Sequence, residues 1–289
     1  MLRFDTIVLV DWSASSVPAT GADSIWILED DETGVRLANP PTRIEASRQL
    51  GERFTELAAT GRRTLAGFDF PLGYPAHLAD RLNLSGPPWL AIWRTWRRLI
   101  VDAENNFNNR FEAAAVLNLR ITGGAGPFWG CPPKSQRRTL SSRKREAHFN
   151  GLAELRLCEV RQRRTQSPFK LYAKGAPGSQ ALLGIPMLTR LRFETQFGRE
   201  ARVWPFETGF RPPEPQPLAV FAEVYPSMAV AEIRTGEVKD AAQLRGLAAF
   251  LRAAEGAGEL DTLFEPPAVL TPDEIRLVER EEGWILGVR

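Results

Sequence analysis

Apolar residues gather in short dense runs near both ends of the chain and at helical spacing between them. FDTIVLVDW (4–12) is apolar on both faces at its middle, the pattern of a strand inside a sheet covered on both sides. SIWILEDD (24–31) and VRLA (35–38) predict two more strands, joined by the turn DETG, and the short connections predict an antiparallel meander. Ile44, Leu50, Phe54, Leu57 and Ala58 predict a helix over about 44–60, stopped by Gly61. RTLAGFDF (63–70) predicts a buried strand ended by Pro71 and Gly73.

The middle of the chain changes period. Trp89, Trp93, Trp96 and Ile100 recur at three and four residues, so 88–102 is predicted helical, with the tryptophans in the core. A second helix is expected at about 107–118, a Gly- and Pro-rich loop at 123–133 and a helix at about 144–164. KGAPGSQALLGIP (174–186) reads as a loop opening a helix or turn, and RPPEPQP (211–217) as a connector. LAVFAEVYP (218–226) resumes the sheet, and 239–256 carries Leu244, Leu247, Ala248 and Leu251 on one helical face. TPDE at Thr271 is a capping box opening a last helix, and GWILGV predicts a closing edge strand. The expected organisation is a core of 1–75 plus 216–289, interrupted by a mainly helical insertion at 76–215.

Composition narrows the class. With 289 residues, 43% of them hydrophobic and 25% charged, the chain is an ordinary globular one that buries a large core. No apolar run approaches the ~18 residues of a membrane span, and the N-terminus lacks a signal-peptide pattern, so no membrane partner is expected. Two cysteines, Cys131 and Cys158, give neither a disulfide framework nor metal spacing and fit a reducing cytoplasm. The net charge of +2 is unevenly spread. Ten basic residues lie between Lys134 and Arg164, Arg143, Lys144 and Arg145 among them, against Glu146, Glu154 and Glu159. This stretch is either a footprint for phosphate backbones or a solvated helical face.

The candidate chemistry lies in carboxylates. Asp11, Asp69 and Glu223 each sit at or near the C-terminal end of an apolar strand, and Asp240 opens the helix that follows Glu223. Like charges ~4 Å apart repel by about 4 kcal/mol at an effective dielectric of 20, so a cluster of them calls for a cation. Oxygen-only ligands favour Mg²⁺ or Mn²⁺, and two such ions can stabilise the attacking and leaving oxygens of a phosphodiester displacement. Each residue also has a structural reading: turn-capping for Asp11 and Asp69, an arginine pair for Glu223, first-turn stabilisation for Asp240. Glu45 and Glu52 read as surface charge. His77 and His148 are the only histidines, and a loop position is the reading for His77. Ser13, Arg143, Lys144, Arg145, Gly175, Gly178 and Ser179 are the candidate substrate contacts, the last three as an anion-binding loop.

VDWSA, FDFPLGYP, EVYPS and KDAAQLRGLAAFL, in that order, resemble the motifs of an uncharacterised bacterial family of predicted ribonuclease H-like nucleases. FWGCP, KGAPGSQALLGIP, VWPFETG and EEGWILGV resemble one of its subgroups. The resemblance implies an α/β ribonuclease H-like mixed sheet flanked by helices, with Asp11, Asp69, Glu223 and Asp240 as catalytic, metal-binding carboxylates. It also implies a metal-dependent nuclease acting on nucleic acid. Two alternatives stand beside it. One is an enzyme or binding protein for a small nucleotide on the same fold; some sequences of the subgroup carry a label of molybdopterin guanine dinucleotide biosynthesis, although no GxxxxGK[ST] phosphate loop occurs here. The other is a non-catalytic nucleic-acid-binding module. Oligomeric state is left open.

Overall fold

The computed structural model describes residues 3–145, 149–173, 175–213 and 217–289. Glu146 and His148, Lys174 at the head of the 174–186 loop, and residues 214–216 of the connector lie outside the described residues.

Among the described residues, six strands, numbered in chain order with the ranges given next, form one mixed sheet in the order β3-β2-β1-β4-β6-β5. β1 (Thr6–Asp11), β2 (Trp26–Asp31) and β3 (Gly34–Ala38) make the expected antiparallel meander. β4 (Thr64–Phe68) joins β1 in parallel, β6 (Ala219–Glu223) joins β4 in parallel, and β5 (Ala201–Val203) closes that edge, also in parallel. β1, β4 and β6 are almost wholly buried, which explains why their sequences run apolar rather than alternating.

Helices cover both faces. Val8, Val10, Ala66, Phe68 and Phe221 point into a core shared with α1 (Arg43–Ala59), α3 (Pro88–Leu99), α4 (Arg110–Thr122) and α6 (Pro177–Phe193). The alternate residues Ile7, Leu9, Leu65, Val220 and Ala222 face α7 (Lys239–Gly256) and the C-terminal segment. Trp89, Trp93 and Trp96 are core residues, as their spacing predicts. Segment 76–215 thus shares its main core with β1 and β4, and it contributes β5 to the sheet.

Several expectations are corrected. Over 144–164, only α5 (Leu157–Arg161) is helical among the described residues; Arg156 is fully buried at its start, so the basic stretch is not one solvated face. GWILGV forms no strand, only a single bridge from Ile285 to Glu223. The stretch 174–186 does open a helix, as one of its two readings has it, but the helix begins already at Pro177: α6 runs through Pro186 and is buried on nearly every side, which removes the one-faced periodicity that signals a helix. In α1, Arg43 is buried while Ile44 is exposed, because Arg43 pairs with Asp102 in the cap region. The short α2 (Leu78–Arg81) has no periodic signal, whereas α8 (Pro272–Leu277) keeps the expected capping box of Thr271 and Glu274.

Candidate active site

β1 and β4 run side by side and end together. Val10 is level with Phe68, and the Asp69 N–H donates to the Val10 carbonyl at 2.9 Å, extending the ladder one step. Asp11 and Asp69 are therefore lateral neighbours on strands ~4.8 Å apart. Strand alternation puts both on the α7 face, the side of Leu9 and Gly67. α7 begins there and brings Asp240 in its first turn. All three line a cleft of about 650 Å³.

The cleft carboxylates are poorly compensated. Asp11 and Asp69 are half-buried, and neither side chain has a hydrogen bond or an ion pair among the described residues. Burial, then the charges of Asp69, Asp240 and Asp23, hold the Asp11 carboxyl well above the usual carboxylate range. Burial, then Glu223 and Asp240, push Asp69 up to about 7. Asp240 Oδ2 accepts the Asp23 N–H at 2.7 Å, which ties the loop after β1 to α7.

Glu223 behaves differently because of register. It is level with Phe68, one residue short of Asp69, so its side chain starts from the other face of the sheet, although Glu223 still borders the cleft at its base. There Arg156 grips it in a fork, Nη2 to Oε1 at 2.6 Å and Nη1 to Oε2 at 2.8 Å, and the Leu72 N–H donates to Oε2 at 2.9 Å. Glu223 thus holds the turn that follows Asp69, and the arginine-pair reading describes it.

The loop after Asp11 is clamped from below. Arg43, buried and paired with Asp102, donates to the carbonyls of Ser13 and Ser15 at 3.0 and 2.7 Å. Ser13 lines the cleft, its hydroxyl donating to the Asp23 carbonyl at 3.2 Å. Gly175 and Ser179 also line it. Gly178 does not; a Cβ there would stand 2.5 Å from the Pro168 carbonyl oxygen, so close packing accounts for it. Arg143, Lys144 and Arg145 are exposed and lie off the cleft, Lys144 paired with Glu154 at 3.0 Å. Of the basic stretch, Arg164 alone reaches the lining. His77 projects into solvent, and Glu45 and Glu52 pair with Arg48 on the surface of α1.

Sequence reasoning missed Arg110, Tyr172, Gln180 and Tyr225, which line the same cleft. Arg110 carried a readable signal: it opens α4, and a cation in the first turn of a helix runs against the helix dipole. Gln180 donates its side-chain amide to the Trp12 carbonyl, binding the first turn of α6 to the residue after Asp11.

Among the described residues, no group of three or more His, Cys, Asp or Glu side chains stands ready to hold a metal ion. The donor chemistry of Asp11 and Asp69 nevertheless fits a hard divalent cation: oxygen-only, adjacent and uncompensated. Mg²⁺ characteristically uses one or two carboxylates and completes its shell with water and substrate phosphates rather than a full protein cage. No family model, curated protein or solved structure matches this chain.

Proposed function

We propose that this chain is a divalent-metal-dependent phosphodiester hydrolase of ribonuclease H-like architecture, working at the Asp11–Asp69 cleft. Three antiparallel strands followed by parallel strands stacked outward from β1 support the architectural part of the reading. The position of the cleft supports it too, because ligands of open α/β sheets bind beyond the carboxyl ends of the strands.

One observation carries the functional part. Two neighbouring carboxylates face an open cleft without hydrogen bond or counter-ion among the described residues, and each is pushed toward its neutral form by burial and acidic neighbours. Such an arrangement is costly unless a cationic ligand completes it. Asp11 and Asp69 would hold Mg²⁺ or Mn²⁺, with Asp240 beside them. The ion supplies charge to offset phosphoryl oxygens and lowers the pKa of water. Glu223 acts as a positioning residue through the Leu72 turn rather than as a ligand. Asp240 and Arg43 fix the loop that carries Ser13 over the cleft. Nucleic acid and small nucleotides both present the required linkage.

The test is a calorimetric Mn²⁺ titration of the wild type and the Asp11→Asn, Asp69→Asn double variant. Saturable binding in the wild type that disappears in the variant is expected. Equal binding by both proteins, or none by the wild type even with a non-hydrolysable phosphodiester analogue present, overturns the proposal.

A further inference from the structure

Opposite in chemistry to the carboxylates, the same cleft contains a cation without an acid. Arg110 is only 9% exposed, yet no carboxylate lies within ion-pair distance among the described residues. The acids of its neighbourhood are engaged elsewhere, Asp102 by Arg43 and Glu112 by Arg137. Its guanidinium is held by neutral groups: Nε donates to Ser179 Oγ at 3.0 Å, and Nη1 to Ser16 Oγ at 2.9 Å and Asn108 Oδ1 at 2.7 Å. Nη2 makes no hydrogen bond among the described residues. A buried charge held in a fixed orientation by neutral groups is under-compensated until an anion joins it.

The first turn of α6 meets it there. Its N-cap is Ala176, which offers no side-chain cap, and the turn contains no acidic residue. Pro177 has no N–H, and the Gly178 N–H is spent on the Lys170 carbonyl at 2.9 Å. The Ser179 N–H has no acceptor among the described residues. Ser179 itself is buried, its hydroxyl donating to the Leu171 carbonyl at 2.6 Å while accepting from Arg110. A helix N-terminus and a buried, fork-shaped guanidinium thus converge through one serine, and both favour a tetrahedral oxyanion.

We infer that Arg110, Ser179 and the first turn of α6 form a subsite for a phosphate group other than the one attacked. The inference rests on the hydrolase reading for its substrate class: a phosphodiester that carries an additional phosphate. Gln180 and Ser16 join the subsite to the loop after Asp11, so the two phosphates occupy one continuous cleft. Tyr172, half exposed, and Tyr225 stand on the lining as surfaces on which a base can stack.

The experiment uses inorganic phosphate as the probe, without metal and with chelator present, so that it does not depend on catalysis. Binding is followed by calorimetry and by the ¹⁵N–¹H shift of the Ser179 amide. Saturable binding in the wild type with Kd of about 1–10 mM is expected, with the Ser179 amide moving on the same curve. Arg110→Gln should weaken binding at least tenfold. Asp11→Asn with Asp69→Asn should bind phosphate as well as the wild type or better, because it removes negative charge from the cleft. A wild-type Ser179 amide that does not move by ~50 mM phosphate overturns the subsite even if Arg110→Gln fails to fold. A folded Arg110→Gln that binds normally overturns it as well. A failed Mn²⁺ titration with intact phosphate binding would sink the hydrolase reading and leave the anion subsite standing. Comparing a nucleoside 5′-monophosphate with a 5′-phosphorylated trinucleotide then separates a free nucleotide from a nucleic-acid end as the source.

Discussion

Two acidic clusters meet at the same sheet end, with Glu159 and Glu223 of one lining the cleft of the other, and they obey different rules. Around Arg156, the carboxylates of Glu159, Glu223, Glu281 and Glu282 are buried, and both oxygens of each accept a hydrogen bond. The donors are Arg156 itself and the backbone N–H groups of Leu72, Ala76, His77, Ala79, Arg156 and Leu157. Gly73 belongs to this arrangement, since a Cβ there would lie 2.2 Å from the Glu282 carbonyl oxygen. Around Asp11 and Asp69 no such donors are supplied among the described residues, and Asp240 spends one oxygen on the Asp23 N–H. The first cluster builds the fold by stitching the turn after Asp69 to the C-terminal segment. The second is left incomplete in a cleft, which is how a ligand site differs from a structural one.

The sharpest way to break the comparison is to remove the cation of the structural cluster. Arg156→Met leaves Glu159 and Glu223 buried without their partner and should cost about 3–5 kcal/mol in urea unfolding. Glu223→Gln keeps the size and part of the hydrogen bonding and should cost less, about 1–3 kcal/mol. A loss in Arg156→Met below about 1 kcal/mol would show that this cluster is not structural.

Neutralising the cleft carboxylates should have the opposite sign. A carboxyl whose folded pKa is raised keeps its proton in the folded state at pH values where the unfolded chain has lost it. Stability therefore falls as pH rises, from near the unfolded value of 3.8 to the folded value of about 7 for Asp69. Glu159, lifted by burial to about 7, adds a contribution of the same sign, so the difference between wild type and Asp69→Asn isolates the cleft. With metal chelated at pH 8, Asp69→Asn should be more stable by about 2 kcal/mol after allowance for water in the open cleft, and the gain should vanish below about pH 4. Mn²⁺ at about a hundredfold excess over Kd should stabilise the wild type by about 2.7 kcal/mol and leave the variant unmoved. Phosphodiester turnover by the variant should fall to background.

Much of this was legible in the sequence. The apolar strands, the meander, α7 and the placing of Asp11 and Asp69 at strand ends follow from density of apolar residues and from period, whereas the meeting of the two carboxylates needs the parallel β1–β4 pairing. What was not legible depends on register or on tertiary burial. Whether Glu223 shares a face with Asp69 turns on a one-residue offset between β4 and β6, which no local pattern encodes. β5 is three residues long, too short for a strand period to declare itself. Arg156 looked like part of a surface charge run because, Glu159 apart, its partners come from residues 67 and 126 positions away. The place of Arg110 in the first turn of α4 was readable, but its neutral partners, up to 94 positions distant, were not.

The smallest effect is expected where the sequence pointed most loudly to nucleic acid. Arg143 and Lys144 are exposed, lie off the cleft, and Lys144 is already paired with Glu154. An exposed pair of this kind contributes at most about 0.5 kcal/mol, so Arg143→Ala with Lys144→Ala should leave the unfolding midpoint almost unchanged. Turnover of a small phosphodiester, which occupies only the cleft, should also be unchanged. If the basic stretch tracks a long backbone, the double variant weakens binding of single-stranded polynucleotide and lowers the salt slope by about 0.7 for each phosphate left without its cation. An unchanged slope would confine recognition to the cleft, where Arg110 and Arg164 are the arginines on the lining. The substrate would then be a short phosphorylated molecule rather than a polymer.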